Sequence, residues 1–250
     1  MSPTQLAVIL ETLRYQRELT IHGAEKVTRI GGATVITDIG HRGEYPSAND
    51  NHIHGLGVLA SVTEELLDDL IAHYRAAGIP RFFVYLSPSE QCDEIERWLL
   101  ERGLWLRLPQ DVLYRLADQP LAMPGSGGIV DGPNKGLDPY DWDVMRYADM
   151  PGMYLYGAVT ETGYEHHAYG VLYAYHQAAY LGPAGTEAEW RRRGGQTALI
   201  AARVTKAREL GCKHIFAETY QRILKTSYNN LLKAGFVHAY SSPIYVWEID

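Results

Sequence analysis

The stretch Arg191-Arg192-Arg193-Gly194-Gly195-Gln196-Thr197-Ala198-Leu199-Ile200 decides how this chain is read. Before it, Ala178 to Leu181 has strand composition, and after it Leu199, Ile200, Val204, Ala207 and Leu210 share one face of a helix ended by Gly211. A glycine-rich turn that opens a helix presents backbone amides without partners, and the helix dipole adds partial positive charge. Three arginines beside such a turn complete an anion site suited to phosphate. A basic run alone is most often a solvated surface. Here the strand before it, the glycines within it and the helix after it favour phosphate.

Downstream, a strand is expected at His214 to Glu218, a short helix through Tyr228 to Lys233, then Gly235-Phe236 and a last strand near Ile244 to Trp247. Upstream, Tyr154 to Thr160, Ala168 to Tyr175 and Ala178 to Leu181 are joined by short turns and read as an antiparallel meander. The first half predicts a helix over Thr4 to Arg17, a strand at Ala33 to Thr37 and a long polar loop from Gly40 to His52. Ser61-Val62-Thr63-Glu64 has the form of a capping box opening a second helix. That helix ends at Gly78, a buried strand follows at Arg81 to Leu86, a third helix stops near Gly103, and a strand lies around Val112 to Tyr114.

The halves repeat each other. Gly78 and Gly211 are as far apart as Phe83 and Phe216, and Gly103 to Gly235 differs from that offset by one residue. The segment facing the arginine turn at this offset, Val58 to Glu64, contains no arginine and leads into Glu64-Glu65, which repel phosphate. One anion site per chain is therefore expected, in the second half. The Gly- and Pro-rich stretch Ala117 to Gly136 has linker composition, so the boundaries are expected at 1–118, 119–136 and 137–250.

Composition fits an ordinary soluble globular protein: 250 residues, 46% hydrophobic, 21% charged, net charge −7. No apolar run approaches the roughly 20 residues of a membrane span. The N-terminus lacks the basic-then-apolar pattern of a secretory leader, and a cytoplasmic location is expected, without a membrane partner. Cys92 and Cys212 are too few for a disulfide framework. His166-His167 has no third ligand at a recognisable spacing, so no metal is expected. One basic cluster in an acidic chain argues against a nucleic-acid partner.

With these residues in place, the second half resembles the GNAT superfamily of N-acetyltransferases. Arg191, Gly194 and Gln196 stand at the marked positions of its Arg/Gln-x-x-Gly-x-Gly/Ala acyl-CoA motif, the last as a departure from it. Gly211-Cys212, the strand ending Glu218-Thr219, and Ser227 to Phe236 are similar to the family in the same order, over about Met153 to Asp250. The resemblance implies an α+β protein of two GNAT-like domains, each a mixed, mostly antiparallel sheet flanked by helices, the first a degenerate scaffold. It implies acetyl-CoA as cosubstrate and a small-molecule primary amine as acceptor, with a homodimer allowed for.

The resemblance further implies that Ala184, Gly185 and Thr186 pair with the pantetheine arm. Amides of Arg193, Gly194, Gly195, Gln196 and Thr197, with the side chain of Arg191 or Arg192, would hold the pyrophosphate, and Ser227 and Asn230 would line the far side. The tyrosine that many members use to protonate the departing thiolate is Leu231 here, one turn from Tyr228, which substitutes only if it points into the cleft. Attack on the thioester needs a proton acceptor, for which Glu218 at a strand end is the first candidate, ahead of His166, His167 and His176. Glu218 and Tyr228 are thus the catalytic candidates. Leu231 also leaves open a protein that binds acyl-CoA without turning it over, and small Ala184 and Gly185 leave open a longer acyl group. The loop from Gly40 to His54 is expected to lend polar groups to the acceptor pocket.

Overall fold

Pairing of strands, more than composition, divides this chain. A computed structural model describes residues 1–39, 51–121, 129–131, 142–159 and 166–248. It forms two compact units, one of Met1–Gln110 with Tyr240–Asp250, the other of Asp111–Ala239.

In the first unit, α1 (Pro3–His22) starts at a capping box in which Ser2 Oγ accepts from the Gln5 amide while the Gln5 side chain accepts from Ser2 N. The helix is thus longer at both ends than the apolar spacing predicts. Gly31 and Gly32, both with positive φ, turn β1 (Val27–Ile30) into β2 (Ala33–Thr37). Then come β3 (Asn51–His54), α2 (Glu64–Ala76), β4 (Arg81–Tyr85), α3 (Cys92–Glu101) and β5 (Trp105–Leu106). Two sequence expectations fail here. Asn51 to His54 are a fully buried strand, antiparallel to β2 and parallel to β4, not a loop. α2 begins after Thr63 without a side-chain cap, so Ser61 is not its capping residue. Ile53, Leu67, Leu70, Tyr74, Phe82, Val84 and Trp98 form the core of this unit together with Tyr245 and Trp247.

The second unit holds β6 (Gln110–Leu116), β7 (Ile129–Asp131), β8 (Met153–Val159), β9 (Ala168–Tyr175), β10 (Ala178–Thr186), α4 (Gly195–Glu209), β11 (His214–Thr219) and α5 (Lys225–Lys233). β12 (Val237–Ser242) and β13 (Ile244–Glu248) end the chain. The meander β8, β9, β10 is antiparallel, as expected, and β10 runs parallel to β11. Its core brings Leu172, Leu181, Ile200, Val204, Ile215 and Phe236 together.

The two sheets have one topology. The first is ordered β1-β2-β3-β4-β13-β5 and the second, read from its far edge, β7-β8-β9-β10-β11-β6-β12. Apart from the added edge strand β7, each member corresponds in order, and each half's closing strand lies in the other half's sheet. β13 pairs with β4 and β5, whereas β6 pairs with β11. The boundaries expected at 118 and 137 are therefore corrected: Asp111–Leu116 belongs to the second unit and the C-terminal strand to the first. The chain passes from the first unit to the second between Gln110 and Asp111, ahead of the glycine-rich stretch. The core of that linker, Met123 to Gly128, and the polar stretch Gly40 to Asp50 lie outside the described residues. Among the described residues no helix is long and apolar enough to cross a membrane.

Candidate functional site: a cleft where two parallel strands part

β10 and β11 pair from Ala178 against His214 to Leu181 against Ala217 and then separate. The separation has a local cause. The register of β10 on β9 shifts between Leu181 and Ala184, and beyond it Ala184, Gly185 and Thr186 follow Gly170, Tyr169 and Ala168. A bulge of this kind redirects a strand. On the other side β11 continues with β6. The wedge between them is a cleft of about 250 Å³ lined by residues that include Tyr180, Gly182, Ala184, Gln196, Arg203, Glu218, Ser227 and Leu231.

Arg203, on α4, bears on the bulge. It is buried, and burial pushes its guanidinium down to about 10. Its Nε donates to Leu199 O at 3.0 Å, and Nη1 donates to Val171 O at 3.0 Å and Gly182 O at 3.5 Å. Gly170 makes room for it, since a Cβ there would stand 2.9 Å from Arg203 Cζ. An arginine inside an apolar helical face carries no sequence signal of such a role.

The arginine turn opens α4. Gly194 caps α4 in the left-handed conformation, at φ 85°, and offers no side-chain cap, so the first-turn amides keep no local acceptor. No acidic residue occupies that turn, and Arg191, Arg192 and Arg193 are exposed. Arg191 Nε donates to Thr186 O at 3.3 Å, tying the turn to the end of β10. Trp190 anchors the turn on both faces: His167 stacks at 3.8 Å between centroids, and Arg193 Cζ lies 4.4 Å from the ring centre. His167 Nδ1 is in turn 2.8 Å from Glu187 Oε2, so this histidine supports the turn and does not reach the cleft lining.

Across the cleft, Gln196 joins the two helices. Its Nε2 donates to Ser227 Oγ at 3.3 Å and its Oε1 accepts from Asn230 Nδ2 at 2.7 Å. Ala184, Gln196, Ser227 and Glu218 thus meet at the cleft as the sequence expects, while Asn230 reaches it through Gln196 and Gly185 and Thr186 extend β10 beyond it. Glu218 Oε2 accepts from Tyr180 Oη at 2.6 Å. Tyr180 is missed by sequence reading because it is one of several tyrosines on the strands β8 to β10.

The condition set for Tyr228 is not met. Its ring packs in the core with Leu231, Ile215 and Phe236, burial raises its phenol above the ordinary value, and it is absent from the residues lining this cleft. Leu231 lines the cleft in its place.

No protein-family model matches the sequence, and no curated protein is similar to it in sequence. Solved structures are similar in fold. A GCN5-related N-acetyltransferase from Kribbella flavida has 11% identity and a TM-score of 0.65, with 98% of this chain and 96% of that one covered. One from Sphaerobacter thermophilus has 15% identity and a TM-score of 0.62, covering 86% and 76%. A tandem GNAT protein from the clavulanic acid biosynthesis pathway has 14% identity and a TM-score of 0.59, covering 89% and 81%. The fold of this chain is the tandem GNAT fold.

Proposed function

We propose that the second unit binds acetyl-CoA and transfers its acetyl group to a primary amine of a small molecule. The observation that carries this reading is the cleft itself: strands parted by a bulge, opening beside a helix N-terminus that is bare of acids and flanked by arginines. Amides of residues 193 to 197 and the side chains of Arg191 and Arg192 fit a pyrophosphate, and the backbone of Ala184 to Thr186 fits an amide-bearing arm. When bound, the cosubstrate supplies an activated acyl thioester. Glu218 takes a proton from the attacking amine. Tyr180, bonded to Glu218, gives its proton to the departing thiolate and regains one from the carboxylic acid. The net result is an amide, free CoA and a regenerated pair. This route replaces the tyrosine absent at Leu231.

A cytoplasmic protein without membrane or nucleic-acid partner suits this reading. Gly182 and Ala184 on the lining also support a second reading, transfer of a longer acyl group, and Leu231 supports a third, acyl-CoA binding without turnover. Calorimetry with acetyl-CoA tests the site. Wild type is expected to bind at about micromolar affinity, and Arg191→Glu combined with Gly194→Glu to lose roughly 100-fold, about 3 kcal/mol. CoA release from acetyl-CoA and from longer acyl-CoA thioesters across an amine panel separates the readings: release from the longer thioesters alone favours the second, and binding with no release from any of them leaves only the third. Failure of wild type to bind removes all three.

A further inference from the structure

The first unit buries a cluster of titratable side chains. His52 and His54 alternate along β3, so both project from one face of the strand. Glu18, on α1, meets them there, and one ligand atom from each of the three lies within 4.8 Å of the other two. All three residues are buried, at 3 to 4% exposure. His52 Nδ1, His52 Nε2 and His54 Nδ1 have no hydrogen-bond partner among the described residues. Buried polar atoms are ordinarily paired, and each one left alone costs about 1–3 kcal/mol. Orphaned imidazole nitrogens converging with a carboxylate are the donor set of a borderline divalent ion.

We propose that Glu18, His52 and His54 form a structural site for a zinc-class divalent cation joining α1 to β3. His22, one turn beyond Glu18, supplies a fourth donor: its Nε2 is 3.2 Å from Glu18 Oε2. A tetrahedral ion with bonds of about 2.1 Å sets its ligand atoms about 3.4 Å apart, so the cluster closes on the metal by side-chain adjustment. Two guanidinium groups stand nearby, and each already has a carboxylate. Arg14 is paired with Glu11, and Arg17 holds Glu18 Oε1 through Nε at 2.9 Å, leaving Oε2 for the ion. The place is also informative. His52 is in register with Phe83 as Tyr180 is with Phe216, and Phe83 and Phe216 correspond between the halves. The cluster therefore occupies, in the first unit, the position that the Tyr180–Glu218 pair holds in the second.

The test uses untagged full-length protein stripped with a chelator and titrated with Zn²⁺ by calorimetry and with Co²⁺ by visible absorption. One ion per chain, intense tetrahedral Co²⁺ bands and a raised unfolding midpoint are expected. His52→Gln with His54→Gln should abolish all three. Glu18→Gln, which keeps the shape of the side chain, should weaken Zn²⁺ binding at least about 10-fold. His176→Gln, on the second unit, should leave binding unchanged. Stripped wild type that is folded by circular dichroism yet takes up no Zn²⁺ overturns the proposal, as does uptake that persists in a folded double variant. The readouts do not involve acetyl-CoA, so the outcome is independent of the second unit's activity.

Discussion

Helices α2 and α4 occupy equivalent places in two sheets of the same order, yet their first turns are opposites. α4 opens on Gly194 with no acid in its first turn and three exposed arginines before it. α2 opens on Glu64 and Glu65, and Glu64 is drawn into an ion pair with Arg102, which also holds Asp68. The strands leading to them differ as well. β10 runs past its bulge to Thr186 and leaves an edge beside the cleft, whereas β3 stops at His54, after which Gly55 takes positive φ. One topology thus carries an acid-free helix start preceded by arginines in one copy and an acidic helix start in the other. What differs is a handful of residues at one strand end and one helix start.

What the copies share most firmly is the exchange of closing strands, and breaking it has the largest expected effect. β13 sits between β4 and β5 and contributes Ile244, Tyr245, Val246 and Trp247, all buried, to the first unit. Each such side chain stabilises by about 1.5–3 kcal/mol, together comparable to the roughly 5–15 kcal/mol that holds a domain folded. Truncation after Pro243 is expected to abolish hydrogen-exchange protection in β4 and α2 while leaving protection in β9 and β10. Loss of protection in both units together would mean that they unfold as one.

The next effect separates binding from chemistry. Glu218→Gln keeps the size of the side chain but removes the proton acceptor, and turnover should fall by about 100- to 10,000-fold with acetyl-CoA affinity unchanged. Tyr180→Phe should lower turnover without altering affinity, because it removes the proton donor proposed for the departing thiolate and leaves the arginine turn intact. If Glu218→Gln retains full turnover with the best amine found, the proton acceptor lies elsewhere.

Much of this contrast is legible in the sequence. The repeat offset, the arginine turn and the acids at its counterpart all lie in local sequence, where glycine, charge and helical period carry direct signals. Three features are not. The strand exchange depends on which of several apolar strands pairs with which, and Val112-Leu113-Tyr114 and Ile244 to Trp247 suit either sheet equally. β3 is hidden because Asn51, His52 and His54 are polar, and what buries them is pairing with β2 and β4 on either side and Glu18 and His22 of α1 beside the histidines. Arg203 looks like one more helical arginine until Gly170, far away in sequence, opens the space for its guanidinium.

Arg203 supplies the third test. Arg203→Met removes the donors to Val171 O and Gly182 O, so the bulge loses the groups that fix it. Acetyl-CoA affinity should fall by about 10-fold, with a lowered unfolding midpoint, since a buried carbonyl left without a donor costs about 1–3 kcal/mol. An unchanged affinity in a destabilised variant would show that the parted strands hold their shape without the arginine.

The smallest expected effect is the most discriminating for the comparison. Glu64→Gln with Glu65→Gln removes from α2 the acids that repel phosphate. If charge at the helix start were the sole difference between the copies, a second acetyl-CoA site would emerge in the first unit. The structure argues otherwise: β3 ends at His54, so no strand edge like Ala184 to Thr186 runs beside α2, and the exposed pairs of Glu64 and Asp68 with Arg102 contribute little to stability. Calorimetry of the double variant should therefore still give one acetyl-CoA per chain, with an unfolding midpoint close to wild type. A stoichiometry of two would show that the acids alone silence the first copy; a stoichiometry of one shows that removing them is not enough without an arginine turn and a strand edge beside it.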